Sequence, residues 1–463
     1  MQQNPQATDD LAMRLGEALI RSGASSASTT SSLLALYRSS ELHDVSVAIT
    51  MGQITISRPG QDGAAPSTRV HETAAGTLDI HLRSQANRIL EDAVLGNLEA
   101  TQALEALDEL ETQRSLASHW PSALGFSAIG VGFSMILGGN GITTIAAGLL
   151  AVVVYASFAA LEHLRAPGIF SLGAGGLMAV AGASGLAAVV DGAQTAVCIV
   201  AALAAWLAGV AAYGAVQDVI TGWYLSATGR LMDVLTRTAG LVFGVALGIH
   251  LLEPLLGRDP GFLETLQTDG SRWVPSIVGA VLVSSGFALS AGGRGRVLAS
   301  LAVFGGLVQV GVLSLGEMGV SSYAATLAAS VITGGMCVVL TRALGVSSNA
   351  SMTVVLLPLF PGMYVYQGVL GIIFSVEGAA DALLQGAITA FCLSVGGLLG
   401  QYLASEALWA TRARQFARAH PGRTFRKEMP VEQNSRDIMV PIFSRPFSQE
   451  VSWAMGSSSR MGR

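Results

Sequence analysis

The hydrophobic positions of this chain change rhythm near residue 120. Before it, apolar residues recur at the spacing of half-buried elements; after it, they run on almost without interruption. Leu11, Leu15, Ala18 and Leu19 follow Asp9 and Asp10 at helical spacing and Gly23 closes the run, which predicts a first helix. A second helix is predicted over Thr29 to Arg38. Two alternating runs come next, Val45 to Ile49 and Gln53 to Ile56, with Met51-Gly52 between them as a hairpin turn. Pro59-Gly60 and Gly63 mark a loop, and Arg69 to Glu72 reads as a third strand. Two amphipathic helices then use Leu78, Leu82, Ile89, Leu90 and Val94, and Leu98, Ala103, Leu104, Leu107 and Leu110. Residues 1–120 are expected to form a small soluble α+β domain with one modest core.

From 121 to 409 about ten apolar stretches are each near the length that crosses a bilayer. The first five are placed at 123–139, 142–161, 171–190, 193–213 and 233–252. The second five are placed at 273–292, 297–315, 321–340, 352–374 and 383–404. The fold class expected is an α-helical polytopic membrane protein: a first five-helix half over 121–255 and a second over 270–409. The segment 410–463, with its arginine cluster, Pro430, Pro441, Pro446 and a Ser-rich end, reads as a disordered basic cytoplasmic tail.

Composition agrees with the pattern. The chain is 51% hydrophobic and only 12% charged, where a soluble domain has about 25% charged residues. Its 55 glycines suit helices packed at close range in lipid. A net charge of −5 offers nothing to nucleic acid. Cys198, Cys337 and Cys392 lie in apolar runs without ligand spacing and read as packing residues, so no metal or cofactor is expected. His71-Glu72 lacks the HExxH, GxSxG or Cys/His context of a catalytic centre, and no catalytic residue is assigned.

Arginines fix an expected orientation. With the N-terminus inside, the inner loops carry Arg165, Arg230, Arg237, Arg294, Arg296 and Arg342. The tail carries Arg412, Arg414, Arg418, Arg423 and Arg426. The outer loops carry none, except between spans five and six, where Arg258 and Arg272 are outnumbered by Glu253, Asp259, Glu264 and Asp269. Both termini are therefore expected in the cytoplasm.

A repeat is read at a spacing of about 150 residues. Gln217-Asp218-Val219-Ile220, Ser226 to Gly229 and Gly244 to Gly248 are matched with Gln367 to Leu370, Ser375 to Gly378 and Gly396 to Gly400. Five spans per half would make the halves inverted repeats, a construction that places a transporter's site near the midplane. In span nine, Pro358 and Pro361 followed by Gly362 should break the helix, because each proline lacks a donor and clashes with the turn before it. Freed backbone groups at that depth persist only in protein or beside a water-filled cavity, which marks a site; a simple packed kink is the alternative. The matching first-half segment, Tyr213 to Asp218, has glycine but no proline. Asp218 could hold a substrate ammonium or carry a proton, or be a solvated helix-end residue. Gln217, Tyr366 and Gln367 complete the candidate substrate-binding set. Glu317, Glu377 and Asp381 are expected in outer loops.

Leu11 to Ala24, the Val45 to Thr50 strand, the Leu98 to Leu110 helix, Gln217 to Gly222 and Leu357-Pro358-Leu359-Phe360-Pro361-Gly362 together resemble the bacterial threonine/serine exporter family, up to about Ala410. The resemblance implies a soluble domain fused to ten spans in two halves, in a bacterial cell membrane. It implies proton-driven export of L-threonine and L-serine, with the substrate, protons and the bilayer as partners. Relatives whose halves are separate chains are linked to dicarboxylates, so export of succinate is a second reading and a channel a third. A homo-oligomer stays open.

Overall fold

A computed structural model describes residues 5–115, 119–256 and 273–419, apart from 41, 43, 51, 60–64, 74, 75 and 77. His43, Met51, most of the Pro59–Gly63 loop, the charged loop between spans five and six, and the chain from 420 onward lie outside the described residues.

The N-terminal region is built from α1 (Pro5–Arg21), α2 (Ser26–Ser39), β1 (Ser46–Thr50), β2 (Gln53–Arg58), β3 (Ser67–Glu72), α3 (Ile80–Val94) and α4 (Ala100–Ser115). The strands form an antiparallel sheet in the order β1-β2-β3, with Ile49 opposite Ile54 and Ile54 opposite His71. Alternation then sends Ile54 and Ile56 to one face, where they meet Leu11, Leu15, Leu33, Tyr37, Leu82, Ala86 and Leu107 in a single core. Ser25 and Asp79 start α2 and α3 by accepting from the Ser28 and Leu82 N–H groups. Asp9 is buried but committed, accepting from Tyr37 Oη at 2.9 Å and Arg58 Nη2 at 3.1 Å. Burial, with Asp9 adding to it, pushes the Tyr37 phenol well above its usual range. His71 pairs with Glu17 of α1 at 3.0 Å, a contact from the sheet to a neighbouring helix.

The remainder is helical: α5 (Trp120–Ile136), α6 (Gly141–His163), α7 (Gly168–Val189), α8 (Thr195–Leu203), α9 (Gly209–Ile220) and α10 (Tyr224–Leu256), then α11 (Trp273–Ser290), α12 (Gly295–Glu317), α13 (Ser322–Leu344), α14 (Ser348–Leu356), α15 (Gly362–Ile373) and α16 (Ala379–Ala419). Seven helices among the described residues are long and apolar enough to cross a membrane. Two bent pairs, α8 with α9 and α14 with α15, raise the number to as many as nine, and α5 is a shorter apolar helix. The span at 352–374 is broken, as its prolines lead one to expect, and the span expected at 193–213 is broken as well. The fifth span is longer than expected, and α16 continues to Ala419, past the expected end of the membrane region.

No more than 50% of any spanning window is buried by protein. Ile145, Leu149 and Phe243 are each 66% exposed, so these apolar faces need lipid as their solvent. The buried faces are lined by small residues. A Cβ on Gly244 of α10 would collide with the Gly173 carbonyl oxygen of α7, so only glycine allows that approach. Between α5 and α11 the contacts are reciprocal: Gly125 faces the Gly286 carbonyl and Gly132 faces that of Gly279, each at 2.5 Å from an added Cβ. The early glycine of one helix meets the late glycine of the other, as in an antiparallel crossing.

Element lengths recur. Thr195 and Ser348 open nine-residue helices 153 positions apart. Gly209 and Gly362 open twelve-residue helices at the same spacing.

Candidate functional site

Proline accounts for the break between α14 and α15. Pro358 sits in a 3₁₀ turn, Leu357–Leu359; Phe360 is extended at ψ 142°; and Pro361 stands immediately before Gly362, where α15 begins after a 50° bend. The first half makes the same shape with no proline. Ala204–Trp206 form the 3₁₀ turn, Leu207 is extended at ψ 141°, and Ala208 precedes Gly209, where α9 begins after a 46° bend. Ala208 and Pro361 share their backbone conformation, φ −70° and ψ 15° against φ −76° and ψ 10°. The first-half break therefore lies at Leu207-Ala208. Tyr213 to Asp218, the segment expected to correspond to the proline break, is regular helix within α9.

The two breaks touch. A Cβ on Gly362 would lie 2.8 Å from Leu207 Cβ and 3.1 Å from the Gly209 nitrogen; one on Gly209 would lie 3.0 Å from the Gly362 nitrogen. These neighbours are backbone and Cβ atoms, which cannot swing aside, so Gly362 has no room for a side chain and one at Gly209 would be tight. Neither α9 nor α15 has a side-chain cap. Two helix starts, with N–H groups that no intrahelical carbonyl satisfies, thus face each other inside the apolar region.

Each bent pair also packs against helices distant in the chain. Tyr366 of α15 packs in a cluster made mostly by α7, α8 and α10, whereas Tyr213 of α9 packs with Cys337, Met352 and Leu393 of the second half. Tyr213 stacks on Phe360 at 5.1 Å between centroids, and its hydroxyl accepts from Gln217 Nε2 at 2.7 Å. Pro358, Pro361, Gly362, Tyr366 and Gln367 share one segment. Tyr366 is buried and Gln367 half-buried.

Asp218 is not at the break. Nine residues separate it from Gly209, about 14 Å along α9. It is 2% exposed, and its Oδ2 accepts from Arg230 Nε at 2.8 Å and from Ser226 Oγ at 2.9 Å. Ser226 in turn lies 3.0 Å from Ser26 Oγ, across the junction with the N-terminal region. The sequence pattern marks neither Leu207 nor Gly209, and it includes Tyr213 and Ser226 only as members of matched segments, without a role for their hydroxyls. A small gap lined by Phe304, Val308, Thr333, Met336, Cys337, Leu340 and Val355 lies elsewhere and includes none of the expected site residues. Glu317 ends α12 and accepts from Trp273 Nε1 at 2.6 Å; Glu377 and Asp381 are exposed around the start of α16.

Lipid-facing helices wrapped around two facing broken ones define a multi-pass membrane protein. The chain belongs to the threonine/serine exporter family: the family model described as "Putative threonine/serine exporter" matches residues 10–252. This is a family of transporters rather than enzymes. The chain is 26% identical over 410 residues to a protein of Mycobacterium tuberculosis described as "Probable threonine/serine exporter", covering 86% of this chain and 76% of that one. It is 27% identical over 451 residues to the "Threonine/serine exporter" of Corynebacterium glutamicum, covering 92% and 88%. No solved structure matches.

Proposed function

We propose that this protein exports L-threonine and L-serine from the cytoplasm, driven by the proton gradient, through a site where α9 and α15 begin. The observation that carries this reading is the pair of uncapped helix starts meeting at Gly209 and Gly362. A hydroxy amino acid is zwitterionic at neutral pH. Its carboxylate suits converging N–H groups and the positive ends of two helix dipoles. Carbonyls freed at the ends of α8 and α14 suit its ammonium, and the Tyr366 hydroxyl or the Gln367 amide suits its side-chain hydroxyl. Pro358 and Pro361 hold the second break open, and Asp218 with Gln217 lies toward the inner mouth, where a proton could be exchanged.

Several observations support ten spans in two inverted halves. With α5 counted as a short span, α5–α10 and α11–α16 repeat one order of elements at a spacing of 153 to 155. The antiparallel α5–α11 crossing and the exchange of α9 and α15 suit a two-fold axis in the membrane plane. Rocking one half on the other about the glycine contact would alternate access. The N-terminal domain meets three of the arginine-bearing loops or their edges: Ser26 reaches Ser226, the Ile80 N–H donates to the Ala291 carbonyl at 2.7 Å, and Arg88 reaches Gly345. That arrangement supports a cytoplasmic N-terminal domain on the side given by the positive-inside rule.

The test is counterflow in proteoliposomes against threonine, serine and succinate, with and without a proton gradient. Saturable threonine and serine flux supports the reading. Succinate flux alone would replace its substrate, and unsaturable flux would make the protein a channel.

A further inference from the structure

Arg83 of α3 is 4% exposed, yet no carboxylate among the described residues pairs with it. Its Nη1 makes one long hydrogen bond, 3.4 Å to the Gly23 carbonyl, and its Nε is buried with no hydrogen-bond partner. Burial, and after it the nearby Arg230 guanidinium, pull its pKa down to about 10, which leaves it charged at neutral pH. Asp79, which caps α3, accepts from the Leu82 N–H at its Oδ1. A buried, uncompensated guanidinium is among the costliest groups a fold can hold. Its charged neighbour Arg230 belongs to a polar cluster at the junction with α9 and α10. Buried Ser26 and Ser226 bridge the domain to α10, and Ser226 and Arg230 both donate to the Asp218 carboxylate. Gly23, the acceptor for Arg83, lies just before the start of α2 that carries Ser26.

We propose that Arg83 is the anchor of a carboxylate-binding site at the junction between the soluble domain and the inner ends of α9 and α10. A small carboxylate docks its two oxygens on the guanidinium fork, with the Ser26–Ser226 hydroxyls and the Asp218–Arg230 pair alongside. That this carboxylate belongs to the exported amino acid rests on the exporter reading; the carboxylate chemistry does not. The soluble domain would then supply part of the entry station, about a helix length short of the midplane break.

The experiment measures the melting temperature of the full chain in nanodiscs with sodium acetate, acetamide, L-threonine or threonine amide at matched ionic strength. Wild type is expected to be stabilised by acetate and threonine and not by the two amides. Arg83→Met should lose the acetate response while melting, without ligand, at or above wild type; any threonine response left in it reports the Gly209–Gly362 site. Arg83→Lys should keep a response with at least tenfold weaker apparent affinity. Equal effects of acetate and acetamide on wild type would overturn the site, as would an acetate response retained by Arg83→Met. If Arg83→Met melts well below wild type, Arg83 is a structural strut and the proposal fails. A variant that does not fold counts as that same outcome. Stabilisation by acetate but not by threonine would support the anion site and remove threonine as its ligand. Threonine counterflow without any acetate response would remove the site and leave the exporter reading standing.

Discussion

Replacing Arg230 with Met separates a structural role for Asp218 from a transport role. In the folded chain the Asp218 side chain is 3% exposed and that of Arg230 25%, with 2.8 Å between Nε and Oδ2. Removing one partner of a fully buried pair costs about 3–5 kcal/mol, because the other charge is stranded. Arg230 is partly solvated and Ser226 still donates to Asp218, so the loss from Arg230→Met should be about 2–3 kcal/mol. Asp218→Asn leaves Arg230 access to water and should cost less, about 1–2 kcal/mol. The double variant strands no charge and should lie closer to wild type than the two single losses added together. A coupling of at least about 1.5 kcal/mol is therefore expected from the cycle. The assay is reversible unfolding in mixed micelles, followed by threonine efflux from vesicles. Additive losses, within about 0.5 kcal/mol, would refute the buried pair. For transport, Asp218→Asn should abolish gradient-driven efflux while leaving the protein in the membrane. Normal efflux by that variant removes Asp218 from the mechanism.

Gly362→Val and Gly209→Val should each abolish counterflow and cost about 1–3 kcal/mol, read as a lowered Tm, since their Cβ atoms meet fixed neighbours at 2.8 Å and 3.0 Å. Gly244→Leu should prevent α7 from seating on α10, because the carbonyl of Gly173 occupies the space, and size-exclusion chromatography should show loss of monodisperse protein. Tyr37→Phe should cost about 1–2 kcal/mol by removing one donor from buried Asp9, measured by unfolding of the full chain. The depressed Arg83 pKa sets a pH window: the folded state disfavours the charged form, so the penalty is complete below about 10 and fades as pH rises from there towards the ordinary guanidinium range. Arg83→Met should accordingly be more stable than wild type at pH 7, by on the order of 3 kcal/mol at most, and that gap should close in a melting series carried upward through pH 10.

The N-terminal α+β region was legible because its elements differ in period. Alternation over Val45 to Ile49 and Gln53 to Ile56 became β1 and β2, and the helical spacing from Leu11 to Leu19 became α1. The second break was legible because proline writes its backbone effect into the sequence. The first break was not. Leu207-Ala208 carries no residue that forbids a helix, and its shape is matched by packing against the facing break rather than by local chemistry. The spacing read in the sequence and the spacing of the two breaks differ by three residues. Matching Gln217 with Gln367 gives a spacing of 150, whereas the backbone equates Gly209 with Gly362 and Tyr213 with Tyr366 at 153. In that register the counterpart of Asp218 is Gly371, so the acid belongs to one half only. A shared texture of small apolar residues carries too little information to fix register. The Arg83–Arg230 and Ser26–Ser226 meetings join residues well over a hundred positions apart, and no local pattern announces them.

The central claim is that facing helix starts at Gly209 and Gly362 hold a hydroxy amino acid in transit. The most direct measurement is uptake of labelled L-threonine into proteoliposomes preloaded with unlabelled L-threonine, for wild type and Gly362→Val side by side. The account predicts saturable exchange by wild type that serine competes for, and none by a variant that still reconstitutes. Absence of exchange by wild type, or full exchange by Gly362→Val, would contradict it.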